Sequence, residues 1–136
     1  MLFYVITIVI IIFIGIVCLV FANDENQSNI EFLENLGWQV DKNYTQKETI
    51  ILPEVFDEVY NNYNSIQKLS GFDLSDYKGK KVTRYTYRVL NFPQDTKGKK
   101  VYINLLTFKD APIGGDVLTY ELDGFMYSLD YLNIGK

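Results

Sequence analysis

The chain has 136 residues, with 17 acidic and 13 basic side chains, no histidine and one cysteine, Cys18. Because histidine and a second thiol are both missing, catalytic Ser-His-Asp and Cys-His sites and thiolate zinc sites are excluded. The part of the chain after the apolar N-terminus is long enough for one modest core and too short for two.

Residues 2–22 contain no charged side chain. An α-helix of this length measures about 31 Å, close to the thickness of a bilayer core. We therefore expect residues 1–22 to form a transmembrane anchor and residues 23–27 a short polar tether. A cleaved signal peptide is the alternative, but the apolar stretch is long and no basic residue precedes it. Lipidation of Cys18 is disfavoured, because Val17 stands where a small residue is needed.

The predicted domain, residues 28–136, is expected outside the cytoplasm of a single-pass protein in a bacterial cell membrane. Two acidic residues, Asp24 and Glu25, follow the apolar stretch directly, while the first lysine is Lys42. The positive-inside rule therefore has little to act on. The absence of cysteine from the domain suits an oxidising exterior.

The first part of the domain predicts a short helix followed by extended chain. Ser28 and Glu31 have the spacing of a capping box at a helix start, and Gly37 is a natural helix end. Residues 38–40 then resemble the start of a strand. Residues 45–52 form a second extended segment.

The second part predicts one long helix and a meander of strands. Pro53 suits a first helical position, and apolar residues recur at helical spacing until Gly71 ends the pattern. Residues 81–90, 100–108 and 113–120 alternate as strands. We expect an α+β fold in which a three-stranded antiparallel meander packs against two or three helices, the last over residues 122–132.

Positive charge is concentrated between residues 78 and 100, which hold eight basic side chains and one acid, Asp95. On neighbouring strands and their connection these side chains could form one basic patch. The simpler interpretation is that acidic residues of the helix after Pro53 neutralise it. The predicted contacts to an anionic partner are Lys80, Lys81, Arg84, Arg88, Lys99 and Lys100.

Catalysis by other residues is a weaker hypothesis. Two S-x-x-K patterns, at residues 65–68 and 75–78, have the spacing of a Ser–Lys catalytic pair, but their companion motifs are absent. Asp73 and Asp76 could bind a hard cation, although capping of a turn is the favoured interpretation. Tyr85 and Tyr87 are expected in the core rather than in a ring-stacking site.

Four stretches of the chain resemble an uncharacterised family, domain of unknown function 4830. They are residues 32–38, residues 71–74 continuing through 81–87, the Gly-Gly-Asp run at 114–116, and residues 122–126. Thr-Arg-Tyr-Thr-Tyr at 83–87 is the most specific part. The resemblance implies a small anchored protein from Gram-positive, clostridia-like bacteria, and it implies no activity, ligand or catalytic residue.

The leading hypothesis is a non-enzymatic, membrane-anchored, extracytoplasmic binding module. Its partner would be an envelope protein, an anionic wall polymer or lipid headgroups, and we expect no nucleic acid, cofactor or metal. The alternative is a hydrolase that uses a Ser–Lys pair or paired carboxylates. A third hypothesis is self-association or partner binding through an open sheet edge.

Overall fold

The computed structural model describes residues 1–134, with side chains for residues 1–16 and 25–134. Two predictions fall outside these parts: the surroundings of the Cys18 thiol, and the last two residues, 135–136, of the predicted domain.

A five-stranded antiparallel sheet forms the centre of the fold. Its strands are β1 (Gln46–Ile51), β2 (Lys81–Arg88), β3 (Tyr102–Phe108), β4 (Ala111–Leu118) and β5 (Met126–Tyr127), and they pair in this order. The α+β class is confirmed, whereas the prediction of three strands is wrong. An extra strand joins each edge of the predicted meander, because β1 pairs with β2 along its whole length and β5 pairs briefly with the end of β4.

One continuous helix, α1 (Leu2–Asn35), includes the residues that were expected to form a tether and a new helix start. The predicted N-cap at Ser28 is therefore wrong. The last turns of α1 pack on one face of the sheet, where Leu33 is buried with the strand tyrosines Tyr85 and Tyr87. The Tyr87 hydroxyl donates a 2.7 Å hydrogen bond to the Asn26 side chain, so α1 contacts the sheet before residue 28.

Within the part of the chain whose side chains are described, no helix is both long enough and apolar enough to cross a membrane. The predicted transmembrane helix is therefore wrong.

The second helix, α2 (Glu58–Leu69), covers the opposite face of the sheet. It starts later than predicted, because Asp57 rather than the region of Pro53 supplies the cap: the Asp57 side chain accepts from the backbone N–H of Tyr60. An N-cap of this kind satisfies one of the unpaired donors of the first turn. β3 is covered on both faces, because one core cluster lies beneath each helix.

The chain after β4 does not form the helix predicted for residues 122–132. Asp123 has a positive φ of 60° and Gly124 follows it, so the chain turns and forms β5 instead. A short 3₁₀ helix, Tyr131–Asn133, ends the described chain. Beside it, the Trp38 indole donates a 2.7 Å bond to the Leu129 carbonyl, which ties this segment to the core.

Candidate ligand cleft

A cleft of about 270 Å³ opens between α2 and the sheet face formed by β1, β2 and β3. Its walls are apolar on both sides, with one charged side chain at the sheet. The lining residues are Ile50, Leu52, Val59, Tyr60, Tyr63, Arg84 and Leu106. A concave apolar site with one convergent polar group is typical of small-ligand binding.

Arg84 reaches the cleft because of the register of the sheet. It lies opposite Glu48 of β1 and opposite Leu106 of β3, so all three share the face covered by α2. The Arg84 Nη2 donates to Glu48, and each side chain remains about one-third exposed. The Arg84 Nε is buried and has no acceptor within the described residues. Because Nε is closed to solvent, a molecule in the cleft would meet the exposed part of the Arg84 side chain instead.

A buried carboxylate, Asp116 of β4, lies behind the cleft with a residue exposure of 2 %. It accepts a 2.6 Å bond from the Tyr63 hydroxyl and a 3.3 Å bond from the Asn104 amide. Burial raises the pKa of Asp116 to about 6, against the opposing effect of these bonds and of the Arg84 charge. Burial and the neighbouring carboxylate likewise raise the pKa of Tyr63.

The position of α2, and with it one wall of the cleft, depends on Gln67. This side chain is fully buried, and its oxygen accepts a 2.7 Å bond from the backbone N–H of Gly115. A Cβ at Gly114 would lie 2.8 Å from the same oxygen. The Gly-Gly pair at residues 114–115 therefore lies inside β4, where it allows the helix to approach closely.

The predicted basic contacts do not form one patch around Arg84. Lys81 and Arg88 are the first and last residues of β2, about 23 Å apart and on opposite faces. Lys80 precedes the strand with its amine over the Phe108 ring. At the Arg88 end, Lys100 is exposed.

Lys99 precedes Lys100 in the connection between β2 and β3. Its amine donates 3.4 Å bonds to the Leu122 and Asp123 carbonyls. Arg84 is the member of the predicted set that pairs with an acid. Within the described residues the other five form no ion pair, so no neutralising pairing by the helix after Pro53 is observed.

The two Ser–Lys patterns do not form catalytic pairs. The Ser65 hydroxyl donates to the Asn61 carbonyl of its own helix, while Lys68 faces Asp73 at 4.0 Å. The Ser75 hydroxyl donates to Asp73 at 2.6 Å.

The capping role predicted for Asp73 is confirmed. It caps the 3₁₀ helix Leu74–Tyr77 and also accepts from Asn64. The bonds from Asn64 and Ser75 hold the pKa of Asp73 well below its ordinary value. Among the described residues, no group of three or more metal-ligating side chains is found.

Three site residues were missed from sequence. Tyr63 was assigned to an apolar helix face, Glu48 to an extended segment without a partner, and Asp116 only to the strand over residues 113–120. A charged residue directly after Gly-Gly in an otherwise apolar strand was the one available signal for a buried carboxylate.

Comparison with known proteins places the site within a shared domain. No curated protein and no solved structure matches the chain. The sequence model of one protein family, described as a domain of unknown function (DUF4830), matches residues 32–117. This range covers more than half of the chain and includes Glu48, Tyr63, Arg84 and Asp116. The resemblance inferred from sequence is confirmed, while the Gram-positive origin stays a prediction. The chain belongs to this family of domains of unknown function, DUF4830.

Proposed function

We propose that this domain is a non-catalytic binding module and that its ligand binds in the cleft at Arg84. The observation that carries the proposal is the partly exposed Arg84 side chain, set between apolar walls in a concave cleft. A ligand in the cleft would bury these walls and place a polar group against the guanidinium.

The non-catalytic assignment is supported by how the titratable groups are used. Asp116, whose pKa of about 6 would suit a general acid or base, is hydrogen-bonded to Tyr63 and Asn104 behind the cleft wall. Neither serine of the S-x-x-K patterns bonds to a lysine amine. These side chains stabilise the fold, and a bound molecule in the cleft would meet Arg84 rather than a nucleophile.

The direct test is a panel of small aromatic fragments screened by saturation-transfer NMR against the full chain. Val59→Trp places a large ring in the cleft from an exposed position on α2. Val55→Trp is the matched control, because Val55 is also exposed and does not line the cleft. We expect fragments that bind the parent and Val55→Trp but not Val59→Trp. Equal binding to both variants, or no binding to the parent, would refute the cleft as the binding site.

A second candidate function is binding of an anionic polymer by the basic groups at the ends of β2. It is supported by the absence of ion pairs at Lys80, Lys81, Arg88 and Lys100 among the described residues. An anionic wall polymer is such a partner only if the domain lies outside the cytoplasm, which stays a prediction.

Sedimentation of the full chain with isolated bacterial cell walls, at low and high salt, tests this candidate. Screening weakens contacts between exposed charges, so binding should decrease at high salt. The double variants Lys80→Gln with Lys81→Gln, and Arg88→Gln with Lys100→Gln, show which end binds. Binding that neither pair reduces would exclude this candidate.

A further inference from the structure

The charge of the cleft is balanced before any ligand enters. Arg84 is already paired with Glu48, and the Asp116 carboxylate lies close enough for the two charges to interact. With its raised pKa of about 6, Asp116 is mainly ionised at pH 7.5. An anionic ligand would therefore bring a third carboxylate to a single guanidinium, and like charges in a partly buried site repel each other strongly.

The Arg84 guanidinium is the polar group at the cleft. Its side chain is about one-third exposed, and a guanidinium carries N–H donors and no acceptor, so a ligand beside it must offer an acceptor. A neutral carbonyl oxygen does this without adding charge. A hydrocarbon would fill the walls but would replace water at the guanidinium with no hydrogen bond.

The remaining walls of the cleft are apolar and suit an apolar ligand. Ile50, Leu52 and Leu106 line the sheet side, while α2 contributes one valine and two tyrosine rings. The volume of about 270 Å³ is slightly below the range of roughly 300–1,000 Å³ that holds drug-sized ligands. The cleft is therefore suited to a fragment-sized group.

We infer that the cleft binds a small neutral molecule with an apolar body and one carbonyl acceptor directed at the Arg84 guanidinium. This inference rests on the proposed function and names the chemical class of its ligand. It replaces the anionic partner that the sequence predicted for Arg84, because the register of β1 supplies a counter-charge.

The test compares phenylacetamide with phenylacetate, which share one shape and differ in charge. Affinities are measured by NMR titration of the full chain at pH 7.5. We expect phenylacetamide to bind at least fivefold more tightly than phenylacetate, with a millimolar dissociation constant suited to a ligand of ten heavy atoms.

Glu48→Gln provides the sharper readout, because it removes the counter-charge from Arg84 and leaves the cleft walls unchanged. In this variant phenylacetate should gain about fivefold or more in affinity, since charge-assisted hydrogen bonds are the stronger ones. Phenylacetamide should change little. Glu34→Gln removes the same charge from an exposed site on α1, across the sheet, and should leave both affinities unaltered.

Three outcomes separate this inference from the proposed function. Preference for phenylacetamide, abolished in Val59→Trp, supports both. Equal or tighter binding of phenylacetate, also abolished in Val59→Trp, overturns the neutral ligand class and leaves the cleft as the binding site. Binding that Val59→Trp does not reduce, or no binding of either probe, overturns the neutral ligand class. The fragment panel then shows whether the cleft is a binding site.

Discussion

Replacing Asp116 by Asn should remove a specific pH dependence of stability. The pKa of Asp116 is about 6 in the folded protein, against an ordinary value of 3.8, because the side chain is buried. The folded state therefore holds this proton more tightly than the unfolded chain. The contribution is complete below about pH 4, and it is lost as the pH rises through about 6.

The size of the effect follows from the two pKa values. At 1.36 kcal/mol for each pH unit, the difference between 3.8 and about 6 corresponds to about 3 kcal/mol of unfolding free energy. Between pH 4 and pH 7 the parent should lose about 2.4 kcal/mol relative to Asp116→Asn, whose amide does not titrate, because at pH 4 the carboxyl of the unfolded chain is already partly ionised. Arg84 is the charged residue whose interaction with Asp116 limits the rise in pKa.

Urea unfolding at pH 4, 5, 6 and 7 measures this difference, followed by the fluorescence of Trp38, the single tryptophan. Trp38 is fully buried, so unfolding changes its surroundings completely. Asp110→Asn is the control, because it removes the same charge from an exposed turn with a positive φ that Asn also adopts. A difference between parent and Asp116→Asn that varies by less than about 0.5 kcal/mol over this pH range would refute the reasoning.

Three further substitutions test how the cleft and core are held. Gln67→Met keeps the volume but leaves the Gly115 N–H without its acceptor, and should cost roughly 1–3 kcal/mol in urea unfolding. Gly115→Ala places a Cβ 2.2 Å from the Asn104 carbonyl oxygen and should cost about 3 kcal/mol or more, visible as a lowered thermal midpoint. Trp38→Phe removes the bond to the Leu129 carbonyl and leaves a void, and should cost about 2–3 kcal/mol by circular dichroism.

These substitutions have a shared control and clear contradicting results. Ser65→Ala removes a hydroxyl that bonds only within its own exposed helical turn, so it should change stability by less than about 0.5 kcal/mol. Parent-like stability of Gln67→Met would show that α2 is not seated by the Gly115 bond. Parent-like stability of Gly115→Ala would show that β4 can move away from β3 at little cost.

Local sequence patterns predicted the elements whose partners lie nearby in the chain. The meander of β2, β3 and β4 followed from alternation, and the burial of Tyr85 and Tyr87 followed from their strand. Asp73 was correctly interpreted as a cap, because capping depends on residues within a few positions. Such features need no knowledge of the tertiary structure.

The errors lie where distant contacts decide. α1 continues through residues 23–27, and Asn26 there bonds to Tyr87, about sixty residues away in the chain. β1 becomes an edge strand only because it pairs with β2. The helix predicted for residues 122–132 is replaced by β5, which pairs with the end of β4.

The site was hidden from sequence for the same reason. Arg84 was assigned to a surface patch, since its pairing with Glu48 depends on a register between strands more than thirty residues apart. The burial of Asp116 was not predicted, since nothing local shows that α2 would cover it. Only the packing of α2 against β4, through Gln67, creates the cleft wall and the buried carboxylate together.

The most direct measurement uses the fact that the chain has two arginines, Arg84 and Arg88. Each gives one side-chain Nε–Hε signal in a ¹⁵N–¹H spectrum, and Arg88→Lys assigns them. On titration with phenylacetamide, the Arg84 signal should shift progressively as the probe binds beside its guanidinium, while the signal of exposed Arg88 should stay in place. A shift of Arg88 alone, or no shift of either signal while the probe binds, would contradict a ligand site at Arg84.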